Sequence, residues 1–304
     1  MNIYKPLGPN VPQTSKVNAK HLVLDLLLAL GEKALTAREA VSAAALFGIT
    51  ENSLRVTLAR LCAAKLIEAT ERGAYRLGYA ATRLAGDVAS WRTVEQRLRP
   101  WDGDYVVVHS AALPRSDRPA LRQRERALQM LGFRELQHGL HVRPNNLEHD
   151  LDAVRQRLYT LGLDRDAAVF LGSGFDTTQQ QALTQLWDGA ALNASYQTQR
   201  IELLAWLERS DQLSTARAAR ESFLLGGQAI RHIVYDPLLP EPLVDTAQRH
   251  AFIRAVHQFD ADGRAIWARF FESIAPTSSA KANHAPRATA QAVHCPSPSP
   301  QEMP

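Results

Sequence analysis

Polar and basic side chains with the chemistry to contact duplex DNA are concentrated in one short part of the sequence. Arginine can neutralise phosphates and form paired hydrogen bonds with guanine, and asparagine and serine can hydrogen-bond to DNA. Residues 55–76 contain five cations and two carboxylates, so this part is basic although the whole chain carries only +4. The candidate DNA-contacting residues are Asn52, Ser53, Arg55, Val56, Arg60, Arg72 and Arg76.

A leucine stripe predicts how the first five of these candidates are presented. Leu54, Leu58 and Leu61 recur at positions i, i+4 and i+7, which predicts a helix from about Glu51 to Ala63 with the leucines facing inward. At about 100° per residue, the candidates in this helix then point away from the core or flank its exposed side.

The residues before this helix predict a second helix and a tight turn. Thr36 with Glu39 three residues later is a capping box, and the helix that it opens runs to Phe47 and stops at Gly48. Two helices joined in this way, with polar residues near the start of the second, are typical of a helix-turn-helix that presents a recognition helix to the major groove.

A predicted β-hairpin follows directly. The segments Leu66–Glu71 and Ala74–Leu77 are short strand candidates around Arg72-Gly73, where glycine permits a turn. Arg72 and Arg76 would then meet phosphates from a wing. The alternatives are three packed helices and a hairpin with solvated charges, or a winged helix that contacts another protein.

The middle of the chain alternates between strands and helices. The order β-α-β-β-α-β predicts a ferredoxin-like arrangement, a split βαβ sheet covered by two helices. The predicted elements are Asp104–His109, Arg118–Leu131, Phe133–Gln137, Leu140–Arg143, Leu147–Leu161 and Ala167–Leu171.

Three features in and near this region could suggest chemistry, but each has a structural interpretation that we prefer. His138 and His141 lack a third nearby metal ligand and are interpreted as hairpin residues. Gly172-Ser-Gly174 follows a strand without a third glycine and is interpreted as a turn. Cys62 is expected to be buried on its helix, so it is not a candidate nucleophile.

Asp102 and Asp104 leave one catalytic alternative open. Paired carboxylates beside the first strand of the middle region could bind a divalent ion, as a metal-dependent nuclease requires. No second acidic cluster accompanies them, which favours a capped strand entrance. We therefore predict that the protein is not an enzyme and uses no metal or cofactor.

The C-terminal part is predicted to be all-helical and to supply a homodimer interface, since operators read by helix-turn-helix proteins mirror a protein two-fold. The ends are rich in proline and poor in large apolar residues. The sequence thus predicts an α+β multidomain protein: a disordered arm at 1–16, a winged helix-turn-helix DNA-binding domain with a linker helix at 17–98, a ferredoxin-like domain at 99–175, a helical dimerisation and effector domain at 176–274 and a disordered tail at 275–304.

Composition predicts a cytoplasmic protein. The chain begins without a basic segment followed by an apolar core, and its most apolar run, 21–30, is too short to cross a bilayer. Its two cysteines lie in unrelated surroundings, which excludes a disulfide framework.

Several short motifs, in order, resemble the PaaX family of phenylacetic-acid degradation repressors. They cover most of the chain between the predicted disordered ends. The motifs are Leu54-Arg-Val-Thr-Leu-Ala-Arg-Leu61, Arg72-Gly-Ala-Tyr-Arg-Leu77, Trp101-Asp-Gly103, Leu131-Gly-Phe133, Gly139-Leu-His-Val-Arg-Pro144 and Asp236-Pro-Leu-Leu-Pro240.

This resemblance implies the three-domain plan given above and a homodimeric repressor bound to a DNA operator. It further implies release by an aryl- or acyl-coenzyme A effector, typically phenylacetyl-coenzyme A, in the control of an aromatic or acyl-acid catabolic operon. The residues that bind the effector are not implied. After Asp236–Pro240 the chain reads Glu-Pro-Leu-Val-Asp-Thr, without the proline and tryptophan at the places where the family often shows them. Leu77-Gly78 ends the predicted wing where threonine is common.

Overall fold

The computed structural model describes residues 17–70, 73–81, 90–114 and 116–275. The predicted arm at 1–16 and Arg72 lie outside the described residues, as does the predicted tail from residue 276 onward. The fold is α+β, with two small antiparallel sheets among the described residues.

The chain divides into two compact units. The described part of the first unit comprises residues 17–70, 73–81, 210–224 and 260–275; that of the second comprises 90–114, 116–209 and 225–259. Two long helices, α8 (Thr215–Val234) and α9 (Thr246–Ile274), each contribute residues to both units.

The first unit begins with helices and short strands whose ends have clear local causes. Its elements are α1 (Ala19–Leu30), β1 (Leu35–Thr36), α2 (Ala37–Leu46), α3 (Glu51–Ala63), β2 (Ile67–Ala69) and β3 (Ala74–Leu77). The predicted capping box is confirmed: the Thr36 side chain accepts a hydrogen bond from the Glu39 amide, and the Glu39 carboxylate accepts one from the Thr36 amide at 2.7 Å.

The three strands of this unit form an antiparallel sheet in the order β1-β3-β2. The predicted hairpin pairs Ile67 with Leu77 and Ala69 with Tyr75. Strand β1, which is only two residues long, was not predicted; it pairs Leu35 with Tyr75 on the other side of β3. Leu35 is fully buried, so this short strand joins the sheet to the core.

Aromatic rings of α8 and α9 belong to the same unit. The ring of Phe47, at the end of α2, lies 5.2 Å from that of Phe223 in α8. Phe223 in turn lies 6.2 Å from Trp267 in α9, which also contacts Phe270 and Phe271. The first unit therefore includes residues far apart in the sequence.

The second unit is built around a four-stranded sheet. Its elements are a 3-10 segment (Ser90–Arg97), β4 (Tyr105–His109), α4 (Arg118–Met130), β5 (Arg134–Gln137), β6 (Leu140–Pro144), α5 (Leu151–Leu161), β7 (Ala168–Gly172), α6 (Thr177–Thr184) and α7 (Gly189–Ser210). The sheet order is β5-β6-β4-β7, with every neighbouring pair antiparallel. Helix α5 begins at Leu151, later than the predicted Leu147, because Asp150 caps it by accepting a hydrogen bond from the Ala153 amide.

The segment after α8 packs onto this sheet and its loops. Gly132 has φ +74°, and a Cβ there would lie 2.7 Å from the Cα of Pro237. The Asn146 side-chain amide donates to the Leu238 carbonyl at 2.7 Å, and the Trp187 indole donates to the Gly132 carbonyl at 3.0 Å.

Among the described residues, no helix combines the length and apolar character needed to cross a membrane.

Candidate nucleic-acid interface

Helix α3 has the bounds that the leucine stripe predicts. Thr50 caps it by accepting a hydrogen bond from the Ser53 amide at 3.3 Å, and the helix ends at Ala63. Leu54, Leu58 and Leu61 are all at most 3% exposed, which confirms the predicted inward face. The core thus fixes the rotation of α3 about its axis.

The five candidates within α3 are all exposed. They are Asn52, Ser53, Arg55, Val56 and Arg60. Val56 is a large apolar side chain with 44% of its surface exposed, and such a residue can contact a thymine methyl group. The helix therefore presents apolar, polar and cationic groups on one side, while their contact with DNA stays a prediction.

Arg55 is held by a carboxylate on the same helix. Its guanidinium donates to Glu51 through Nε at 2.9 Å and Nη2 at 2.6 Å, and both side chains are about half exposed. An exposed pair at i, i+4 stabilises a helix by only about 0.3–0.5 kcal/mol. A DNA phosphate could therefore replace Glu51 as the partner of Arg55.

Arg76 has a similar exposed partner on the hairpin. It lies directly opposite Glu68 in the β2–β3 register and donates to its carboxylate at 3.1 and 3.2 Å. The other predicted wing cation, Arg72, lies outside the described residues. Arg76 is thus positioned by the strand pairing, but its charge is partly balanced in the unbound protein.

Arg60 differs from both of these arginines. It is exposed on α3, and the described part of the chain supplies no ion-pair partner for it. Because no carboxylate of the described residues competes for its guanidinium, Arg60 is the described candidate best prepared to bind a base edge or a phosphate.

Lys65, directly after α3, has an unusual backbone. Its φ is +55°, a left-handed conformation that costs a residue with a Cβ about 1–2 kcal/mol. A cation at the negative end of a helix dipole recovers only about 0.3–1 kcal/mol. Stability alone therefore does not account for lysine here, and the sequence patterns gave no signal of this conformation.

The other sequence candidates are placed as follows. The Asp102 carboxylate accepts a hydrogen bond from the Asp104 amide at 3.3 Å, as expected of a capped strand entrance. His138 lies in the β5–β6 turn and His141 in β6. In the described part of the chain, no three His, Cys, Asp or Glu residues are grouped so that they could hold a metal ion.

Two further candidates are turn or helix residues. Gly174 has φ +71° and follows β7, in agreement with the turn interpretation of Gly172-Ser-Gly174. Cys62 is partly exposed on α3, so the prediction that it is buried was wrong. It lies one residue beyond Leu61, a rotation of about 100° that moves it off the inward stripe.

A buried arginine organises the loops of the second unit. Arg143 is 1% exposed and donates hydrogen bonds to the carbonyls of Leu131 and Pro144 and to Oδ1 of Asn146. Burial lowers the pKa of Arg143 to about 9, which still leaves it charged at neutral pH. These oxygen atoms therefore stabilise a buried cation. The motifs that contain Leu131 and Pro144 thus have a structural role.

A half-buried histidine lies between α7 and the end of α8 within the same unit. The Gln199 side-chain amide hydrogen-bonds to Nδ1 of His232, while Oγ of Ser195 is 3.5 Å from that atom. Burial lowers the pKa of His232, and the nearby Asp236 carboxylate opposes this effect. The same Gln199 amide donates to Oγ of Ser195 at 3.3 Å, so the three side chains form one hydrogen-bonded group.

The fold has a solved counterpart. The structure of an uncharacterized protein, Rv0674, from Mycobacterium tuberculosis superposes with a TM-score of 0.60 at 23% sequence identity, covering 83% of this chain and 98% of that one. At this level of sequence identity, the structural match shows that the two chains share a fold.

The class of protein is indicated by a family comparison. Residues 187–269 match the family model described as PaaX-like protein C-terminal domain. This match confirms the resemblance noted in the sequence for that segment and points to a transcriptional regulator. No curated protein matches the chain.

Proposed function

We propose that this protein is a sequence-specific transcriptional regulator that binds duplex DNA through α3. The observation that carries the proposal is the outward face of α3, where Arg60 is exposed without an ion-pair partner in the described residues. The α2–turn–α3 unit with the β2–β3 hairpin is interpreted as a winged helix-turn-helix. Asn52 and Val56 share the exposed face with Arg60, so the three can read neighbouring base pairs.

Electrostatics support this choice of surface. Arg55 and Arg76 are each paired with an exposed glutamate, at 2.6 and 3.1 Å respectively. Such pairs exchange at little cost, so both arginines can turn to phosphates when DNA approaches. Binding by these cations would release counterions and weaken steeply with salt.

The second unit is proposed to serve regulation rather than catalysis. Its strand–helix–strand–strand–helix–strand order, in a sheet with the order β5-β6-β4-β7, supports the interpretation as a ferredoxin-like domain. The PaaX-like match covers residues 187–269, most of the predicted helical region. We propose that this region builds a homodimer and responds to an effector, as the resemblance implies. The effector proposed from the resemblance is an aryl- or acyl-coenzyme A such as phenylacetyl-coenzyme A, and its binding would release a cytoplasmic repressor from its operator.

Selection of bound duplexes from a random pool tests the proposed function. The full-length protein is incubated with the pool, and bound duplexes are recovered, sequenced and compared with those recovered by an Asn52→Ala/Arg60→Ala double variant. We expect an enriched motif, made of two half-sites if the protein is a dimer, that is lost or altered with the variant. Recovery of no motif by the wild-type protein, or of the same motif by both proteins, would contradict the proposal. Duplexes left uncut in Mg²⁺ or Mn²⁺ would count against a nuclease.

A further inference from the structure

The end of α3 has the same hydrogen-bond pattern as three other helix ends in this chain. The amide of Leu66 donates to the Leu61 carbonyl at 3.0 Å, and that of Lys65 donates to the Cys62 carbonyl at 2.9 Å. This pair of bonds is the Schellman motif, in which the residue after the helix is left-handed. The ends of α2, α4 and α5 have the same pair of bonds.

The left-handed residue is glycine at those other ends. Gly48, Gly132 and Gly162 follow α2, α4 and α5, with φ of +69°, +74° and +108°. Lys65 occupies the equivalent position after α3 with φ +55°. The helix proposed to read DNA is thus followed by a lysine at the position where α2, α4 and α5 are followed by glycine, the residue that suits this backbone.

The backbone around Lys65 is closely packed, so the conformation is imposed. A Cβ at Gly78 would lie 2.4 Å from the Lys65 carbonyl oxygen, and the Gly78 amide donates to the Leu66 carbonyl at 2.9 Å. Leu61 and Leu66, on either side of the turn, are at most 6% exposed. The side chain of Lys65 is nevertheless exposed, and no carboxylate of the described residues pairs with it.

We propose that Lys65 binds a phosphate of the DNA backbone beside the groove that α3 occupies. This inference rests on the proposed function. The Schellman hydrogen bonds fix the backbone of Lys65 two residues beyond α3, so its side chain starts from a defined position at the end of the helix that carries Arg60. A phosphate contact made from this position adds affinity and helps to set the register of the helix without reading sequence.

The test compares three substitutions of Lys65 that differ in whether they keep its charge and in how well they suit the left-handed backbone. Lys65→Gly removes the charge and suits the left-handed backbone, Lys65→Asn removes the charge with a smaller backbone benefit, and Lys65→Arg keeps the charge. Affinity for a labelled mixed-sequence duplex is measured by fluorescence anisotropy over a series of salt concentrations, and melting temperature by circular dichroism. The probe needs no known operator because phosphate contacts are independent of sequence.

We expect Lys65→Gly to melt at or above the wild-type temperature and to bind the duplex about 3- to 10-fold more weakly at low salt. The slope of log K against log salt should decrease by about 1, the loss of one phosphate contact, for Lys65→Gly and Lys65→Asn but not for Lys65→Arg. Wild-type affinity and slope in Lys65→Gly would overturn this inference and leave the proposed function standing. A wild-type protein without salt-dependent affinity for DNA would overturn both.

Discussion

The ring of Phe47, at the end of α2, lies 5.2 Å from the ring of Phe223 in α8, although 176 positions separate the two residues in the sequence. Phe47 directly precedes Gly48, the residue that turns the chain from α2 towards α3. A residue of the C-terminal helices thus packs at the turn that sets the position of the proposed recognition helix. Stability of this turn is therefore expected to depend on α8.

A double-mutant cycle between these two phenylalanines tests that dependence. Phe47→Leu and Phe223→Leu keep apolar volume but remove the ring pair, and the free energy of unfolding is measured by urea denaturation for both single variants and the double variant. We expect a coupling of about 0.5–1.5 kcal/mol, typical of aromatic pairs. Purely additive effects would show that the two rings are not coupled.

Gly132 is expected to be intolerant of alanine. With φ +74° and a Cβ 2.7 Å from Pro237, Gly132→Ala combines a left-handed backbone penalty with overpacking and should destabilise the protein by about 2–4 kcal/mol. Gly174→Ala is the matched control, because Gly174 has φ +71° but nothing within 4 Å of an added Cβ. Urea denaturation should show a clearly smaller loss for the control; equal losses would mean that Pro237 does not confine Gly132.

His232 should make stability fall in mild acid. Burial holds its pKa in the folded protein below the usual 6.5, so the unfolded chain takes up a proton first as the pH falls through 6.5. The contribution of His232 to the free energy of unfolding is therefore fully present above this pH. It decreases as the pH falls below 6.5, by at most about 1.4 kcal/mol per pH unit for one group. The nearby Asp236 carboxylate reduces the effect but is the smaller influence.

This contribution is measured by comparing melting temperatures at pH 7.5 and 5.5. The two values lie about one unit on either side of the ordinary histidine pKa. His232→Gln should lose less between the two values than the wild type does. Identical pH profiles for the wild type and His232→Gln would rule out the assigned role of burial.

Binding of the proposed effector should raise the melting temperature. A ligand that binds only the folded state stabilises it by about 2.7 kcal/mol at a concentration 100 times its dissociation constant. Phenylacetyl-coenzyme A should therefore shift the transition upward and release bound DNA, whereas coenzyme A and phenylacetate alone should do neither. A full series of aryl- and acyl-coenzyme A thioesters without any shift would contradict this class of effector.

The sequence predicted the local features of the candidate site well, because they depend on short-range periodicity. The leucine spacing gave the bounds and inward face of α3, and a capping box gave the start of α2. The pairing of Arg55 with Glu51 follows a spacing of four residues and could have been predicted from the same helix.

Features that depend on packing could not be predicted in this way. Nothing local indicates that Phe223 contacts Phe47, or that Lys65 is left-handed, because both result from which surfaces meet in the folded chain. Strand β1 escaped prediction because two residues show no alternation. The late start of α5 reflects the Asp150 cap, which competes with the apolar spacing that began at Leu147.

The most direct test of DNA reading by α3 is the affinity of Arg60→Ala for the selected duplex. Fluorescence anisotropy is measured for the wild type, for Arg60→Ala, and for Arg122→Ala, which removes an exposed arginine of α4 from outside the proposed interface. We expect Arg60→Ala to bind about 10- to 100-fold more weakly, or about 1–3 kcal/mol, and to discriminate less against a mixed-sequence duplex. Arg122→Ala should match the wild type. Wild-type affinity and discrimination in Arg60→Ala would contradict the proposal that this face of α3 reads DNA.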